Sequence, residues 1–295
     1  MATVWHRGKD KVNRLLGNTL PRRRTACESA SLFPCEIVEM ITAHFIRDLD
    51  TLKACSLTCR LWYLVVAPLL HHTLILRGNR PGAAHNKLKS LSKLHRLGLM
   101  PLVKEIRVSQ WCGTSGWFAP QAFSRRDLRY FSAFTNVQTL VLQRLRLDHF
   151  IPNIKRYFEH LSPSLKSIAL FKPRCTPRQL SYFLSLFPNI DDIEIQHTYT
   201  YTPNPTIPDM ELVPFSTPKL RGRLVLHYFR WVDTWTHLIA SNCSPQFRHA
   251  DLRGSAGCAP ILLEACAKTI ETLRFNATDG LAGKWFYMNP STGPS

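Results

Sequence analysis

The chain has no apolar run long enough to cross a bilayer. Its longest, Leu61 to Leu70, is about half of what a spanning helix needs and contains Pro68. From Met1 to Leu20, charged residues (His6, Arg7, Lys9, Asp10, Lys11) stand where a secretory signal would place its apolar core, so secretion is not expected. The nine cysteines are an odd number scattered through apolar segments and suggest no disulfide framework. They predict reduced thiols in the cytosol or nucleus, with the sequons at Asn242 and Asn276 unused. Catalytic spacings are missing too. The histidines form no H-E-x-x-H pair, and Gly113-Thr114-Ser115-Gly116 lacks the Gly and Lys spacing of a phosphate loop or nucleophile elbow. Cys55 and Cys59 are four apart on a helical pattern, but His71 and His72, the nearest further ligand types, lie beyond a proline. No metal, cofactor or enzymatic activity is expected.

Acidic residues are also scarce, 20 against 38 Lys and Arg, a formal charge of +18. Most of the excess lies in residues 1–30, expected to be a disordered basic segment in which Arg22 to Arg24 read as a solvated basic tail rather than as a nuclear signal, and in residues 77–107. Such a charge raises nucleic-acid binding as one reading, a basic nucleic-acid-associated interaction protein. No helix-turn-helix, zinc finger or aromatic RNA-binding signature accompanies it, so nucleic acid is not expected as the main partner.

Residues 32–62 are the most informative stretch. Pro34 and Glu36 suit the first turn of a helix beginning near Cys35. Ile37, Met40, Ile41, His44 and Phe45 recur at helical spacing, an apolar face that has to be covered. Asp48-Leu49-Asp50 breaks the pattern, with Asp50 or Thr51 as N-cap of a second helix carrying Leu52, Cys55 and Ser56. A third helix is expected from Thr58 to Ala67, ending before Pro68. Three helices this short bury little surface and call for a partner or a neighbouring domain.

The pattern Phe33-Pro34-x-Glu36-Ile37-x-x-x-Ile41, then Leu52-x-x-Cys55-Ser56-Leu57-x-Cys59-Arg60-x-Trp62, resembles the F-box family, especially its fungal members. Phe33 stands where the family usually has Leu, with Leu32 just before it. The resemblance implies a helical hook that docks a Skp-type adaptor and through it a cullin scaffold. Mapped by motif position, the adaptor-binding residues would be Phe33, Pro34, Ile37, Ile41, Leu57, Cys59, Arg60 and Trp62. The implied role is that of substrate-recognition subunit of an SCF-type ubiquitin ligase, cytoplasmic, nuclear or both, presenting an unidentified protein target for degradation.

Farther along, a strand core L-x-x-L-x-L repeats at Val103 to Val108, Val137 to Leu142, Leu165 to Leu170 and Ile190 to Ile195. Weaker copies follow at Leu220 to Leu226, with one extra residue, at Phe247 to Leu252 and at Ile270 to Phe275. Helical patterns intervene at Arg125 to Phe134, Ile154 to Leu161, Pro177 to Phe187, Trp231 to Ala240 and Ala259 to Ala267. Alternation at this leucine-rich period predicts an α/β chain: a three-helix F-box followed by an irregular leucine-rich-repeat-like solenoid. The Asn that usually bonds the turn after each strand is replaced by Leu145, Pro173, Thr198, Phe229, Ser255 and Thr278.

The expected organisation is thus a basic segment (1–30), F-box (31–70), connecting segment (71–100), solenoid (101–279) with an extended Pro-rich insertion at Thr202 to Pro208, and tail (280–295). The tail either folds back with Trp285, Phe286 and Tyr287 as a cap or marks a shortened relative of longer proteins. Residues flanking and separating the final L-x-L should face outward onto a concave surface. Its charged members, Arg107, Arg223, Arg253 and Arg274 against Glu105, Asp192, Glu194 and Asp251, balance. The expected target surface has Val141, Ala169 and an exposed Phe171 as apolar contact, Asp192 and Glu194 as an acidic middle, and Arg223, Arg253 and Arg274 as a basic end.

Overall fold

The computed structural model describes residues 34–78, 91–110, 130, 132–144, 159–198, 219–229, 232–240, 245–276 and 285–288. The chain divides into two compact units, Met1–Leu70 and His71–Ser295.

In the first unit, helix α1 (Cys35–His44) starts where Pro34 turns out of extended backbone, its carbonyl accepting from the amides of Ile37 and Val38. Helix α2 (Leu49–Ser56) is capped by Asp48, earlier than the sequence suggested. A cap has to stand outside the helix, and from there Asp48 Oδ1 accepts from the amides of Asp50 and Thr51, 3.1 Å each. Helix α3 (Arg60–Leu70) begins later and ends later than expected. The amide and hydroxyl of Thr58 both donate to the Cys55 carbonyl and close α2 instead. Pro68 lies inside α3, where its missing N–H leaves the Leu64 carbonyl without its helical donor with only two residues to go. The buried set is small: Val38, Leu52, Val66 and Ala67, with Thr42, whose hydroxyl donates to the Glu39 carbonyl.

The second unit is α/β. Strands β1 (Thr73–Gly78), β2 (Glu105–Gln110), β3 (Thr139–Gln143), β4 (Ser167–Phe171), β5 (Asn189–Gln196), β6 (Lys219–His227), β7 (Gln246–Arg253) and β8 (Thr272–Asn276) pair in chain order, all parallel. Strand β9 (Trp285–Met288) lies antiparallel on β8, so part of the tail extends the sheet. The apolar repeat positions align across the ladder, Leu74, Ile106, Leu140, Ile168, Ile193, Leu224, Ala250 and Leu273 forming one row. That row and the one two residues on face a continuous core built with α4 (Pro177–Ser185), α5 (Val232–Ala240) and α6 (Ala259–Cys266), whose largest members include Phe183, Phe187 and Trp235. Helix α4 opens with a capping box, Thr176 and Gln179 bonding each other's amides. Of the expected helices at 125–134 and 154–161, most positions fall outside the described residues, and Glu159–Leu161 forms a 3₁₀ turn.

The segment 71–100, expected to be a connector, contains β1 and a helical stretch at 91–96. Strand β1 escaped the pattern because His71 stands at the first apolar position of the repeat, in register with Val103. The extra residue in β6 is absorbed as a bulge at Gly222, φ +71°, where a Cβ would come within 2.3 Å of the Asp191 carbonyl oxygen. No side chain fits there.

A second repeat is conformational. The residue directly after each of β3 to β7 is left-handed: Arg144, Lys172, His197, Tyr228 and Gly254 have φ between +52° and +60°. In the first four, the amide turns sideways and donates to the last carbonyl of the next strand, at Phe171, Gln196, His227 and Arg253. The following residue is buried at Pro173, Thr198, Phe229 and Ser255. Hydroxyls bond the turn at two of these positions. Thr198 donates to the Tyr228 carbonyl, while Ser255 Oγ accepts from the Phe229 amide and donates to the Leu226 carbonyl.

Candidate functional site

In the helical unit, the α1 face expected to be covered stays open. Ile37, Met40, His44 and Phe45 are exposed and Ile41 is half-buried, because α1 turns Val38 and Thr42 inward instead. Ile46, Leu49, Leu57, Tyr63 and Leu64 are exposed as well, Met40 to 64% and Leu57 to 78%. So much apolar surface on so small a unit exceeds the scattered single side chains of an ordinary surface. Of the residues the family pattern selects, Pro34, Ile37, Leu57 and Arg60 are exposed, and Ile41, Cys59 and Trp62 are half-buried. Phe33 lies outside the described residues. Among the described residues no group of three or more His, Cys, Asp or Glu side chains is placed to hold a metal, and no helix is long and apolar enough to cross a membrane.

In the sheet unit, the face turned away from the core carries the outward positions in three rows. The first row is Thr73, Glu105, Thr139, Ser167, Asp192, Arg223, His249 and Thr272. The second is Ile75, Arg107, Val141, Ala169, Glu194, Val225, Asp251 and Arg274; the third runs from Ser109 through Gln143, Phe171, Gln196, His227 and Arg253 to Asn276. All eight residues named as target-binding therefore share one face.

Two details of that expectation change. The apolar contact is not an exposed patch: Val141 is 7% and Ala169 8% exposed, and Phe171 is half-buried. In the second row Val141 and Ala169 lie between Arg107 and Glu194. Nor are the charges zoned by strand. Asp192 lies 3.8 Å from Arg223 on the neighbouring strand, Arg107 bonds Glu105, and Arg253 grips Asp251 with two bonds of 2.7 and 2.9 Å. Glu194 accepts from the side-chain Nε2 of Gln196. The carboxylates of this face, Glu105, Asp192, Glu194 and Asp251, all occupy the first two rows, which they share with Arg107, Arg223 and Arg274. The third row and the left-handed rim beyond it contain no carboxylate.

His227 sits at that division. Burial holds its pKa below the ordinary value, with Arg253 and His197 adding to the shift while Asp251 and Glu194 oppose it. Its Nε2 is 3.8 Å from Asp251 Oδ1.

One repeated feature lay outside the sequence reading: Arg144, Lys172, His197 and Tyr228 form a line along the C-terminal ends of the parallel strands. The one signal in the sequence was position, each residue following a strand's last outward residue, but nothing in residue type announces a left-handed turn occupied by Arg or Lys. No family model, curated protein or solved structure matches the chain.

Proposed function

We propose that the chain is the substrate-recognition subunit of an SCF-type ubiquitin ligase. On this reading its N-terminal helices are an F-box that docks a Skp-type adaptor, and its parallel sheet belongs to an irregular leucine-rich-repeat solenoid that holds a protein target. One observation supports it above the rest: the helical unit leaves exposed the apolar side chains its own small core cannot use, and Ile37 and Leu57 among them stand at F-box motif positions. A folded hook with its apolar face open is what a docking module needs and what an isolated domain avoids. The receptor supplies proximity, two surfaces on one chain raising the effective concentration of target lysines near the ubiquitin-charged enzyme.

The test is reconstitution. Purified chain mixed with a Skp-type adaptor at about 150 mM salt should co-elute as a stoichiometric complex. The Leu57→Ala, Trp62→Ala double variant should lose it, because two large side chains leave the interface centre. Co-elution unchanged in the double variant, or tighter binding to duplex DNA than to the adaptor, rejects the reading.

A further inference from the structure

We propose that a small cavity at the N-terminal ends of β5, β6 and β7 binds the free C-terminus of a polypeptide, an inference that rests on the receptor reading above and names the part of a target the sheet unit grips. The cavity measures about 370 Å³ and is lined by Asp191, Arg221, Gly222, Gln246, Arg248 and Thr269. The irregularity of β6 creates it. Pairing with β5 passes from Ile190 to Asp192 and leaves out Asp191, and pairing with β7 passes from Phe247 to His249 and leaves out Arg248. Two gaps in register thus lie on either side of Arg221 and Gly222, and breaks of this kind re-aim side chains out of the ladder.

The lining carries both signs of charge. Asp191 and Arg221 are exposed, and no hydrogen bond or ion pair joins either side chain to another described residue. They stand on neighbouring strands, about 4.8 Å apart, within reach of one small ligand. Two other groups are already engaged. Arg248 Nε is 3.8 Å from Glu271 Oε1, and the Thr269 hydroxyl donates to the Phe247 carbonyl. Recognition is therefore assigned to the Arg221 guanidinium, the Asp191 carboxylate and the exposed side-chain amide of Gln246.

This combination selects the ligand. A phosphate would meet the Asp191 carboxylate as like charge. A chain terminus carries a carboxylate and an N–H on the same carbon, so the first takes the fork of Arg221 while the second donates to Asp191. Gln246 can donate to, or accept from, the peptide unit before it. The size agrees, since about 370 Å³ is at the low end for ligand pockets and suits an end that enters and stops. The lining contains no aromatic ring on which a nucleic-acid base could stack.

The probe is a series of peptides Gly-Ser-Gly-Ser-Gly-X, fluorescein-labelled at the N-terminus, with X each standard amino acid in turn. Each is made as free acid and as C-terminal amide and titrated with the full chain by fluorescence anisotropy. The account expects at least one free acid to bind, with its amide about tenfold weaker or worse. Arg221→Gln should weaken the free acid by a similar factor, Arg221→Lys, which keeps the charge but not the fork, by less, and Asp191→Asn should also weaken it. Lys166→Gln, exposed just before β4 and outside the cavity, should bind as the native chain does; thermal melts accompany each variant. No binding by any free acid, amides that bind as tightly as acids, or equal loss in Lys166→Gln overturns the proposal. Competition by the free amino acid X as strong as by the peptide also overturns it, marking a small-molecule site instead. Adaptor co-elution on the same samples separates the two claims: a chain that binds adaptor but no peptide loses only the cavity, and one that binds peptide through Arg221 but not adaptor loses only the ligase role.

Discussion

The helical unit and the sheet unit handle apolar side chains in opposite ways. In the sheet unit most large apolar residues of the described strands and helices enter one continuous core, with Ile75, Val141, Phe171 and Val225 on the open face, of which Ile75 is the exposed one. In the helical unit Val38, Leu52, Val66 and Ala67 are buried while Met40, Ile46, Leu49, Leu57 and Leu64 face solvent. Hydrophobic burial therefore explains why the sheet unit folds, but it does not explain the composition of the helices, where Met40, Ile46, Leu49, Leu57 and Leu64 each leave more than half of their surface in solvent. Those residues make sense as an interface.

Substitutions can break or sharpen that contrast. The largest loss is expected at Phe183, fully buried and packed edge-to-face on Phe187 at 5.2 Å. Phe183→Ala should cost about 3–5 kcal/mol, read as a lower urea midpoint. Gly222→Ala should follow at about 2–4 kcal/mol, since its φ of +71° and the Asp191 carbonyl oxygen leave no room for a methyl. If the variant melts like the native chain, the bulge is not fixed as described. Ser255→Ala strips the buried Phe229 amide and Leu226 carbonyl of their partner, and about 1–3 kcal/mol should be lost. Substituting Asn there tests whether another polar side chain can bond the same turn.

A smaller effect follows pH. The folded-state pKa of His227 lies below its ordinary 6.5, and so does that of His71, through burial and the nearby Lys93. The unfolded chain thus takes up these protons first on acidification. The stability they contribute is complete above about pH 6.5 and is lost as pH falls through the folded values. Melting temperature should drop between about pH 7 and pH 5, and less steeply in His227→Asn. An unchanged slope would place the acid sensitivity elsewhere.

Much of the sheet was readable because the repeat writes its own register: apolar residues at the first, fourth and sixth positions name the strands and the row in which Ile106, Leu140 and Ile168 meet. Strand β1 was not readable, since His71 breaks that signature. Which outward residues stay accessible was also hidden. Val141 and Ala169 alternate outward as the pattern says, yet they are only 7% and 8% exposed, and alternation along a strand carries no information about that. The rim depends on backbone dihedrals, and Arg144 or Lys172 carries no residue-type mark of a positive φ. In the helices, periodicity located an apolar face on α1 but not whether the fold would use it. Val38 and Thr42 won the inward side, and the wider apolar face was left out.

That unused face is tested most directly at Leu57, 78% exposed at the end of α2. Thermal melts and calorimetric titration with a Skp-type adaptor should be run on the native chain and Leu57→Ala together. The account predicts a stability change within about 0.5 kcal/mol, as for an exposed side chain, with an affinity loss of at least about tenfold. A destabilised Leu57→Ala variant that binds the adaptor as tightly as the native chain would contradict it.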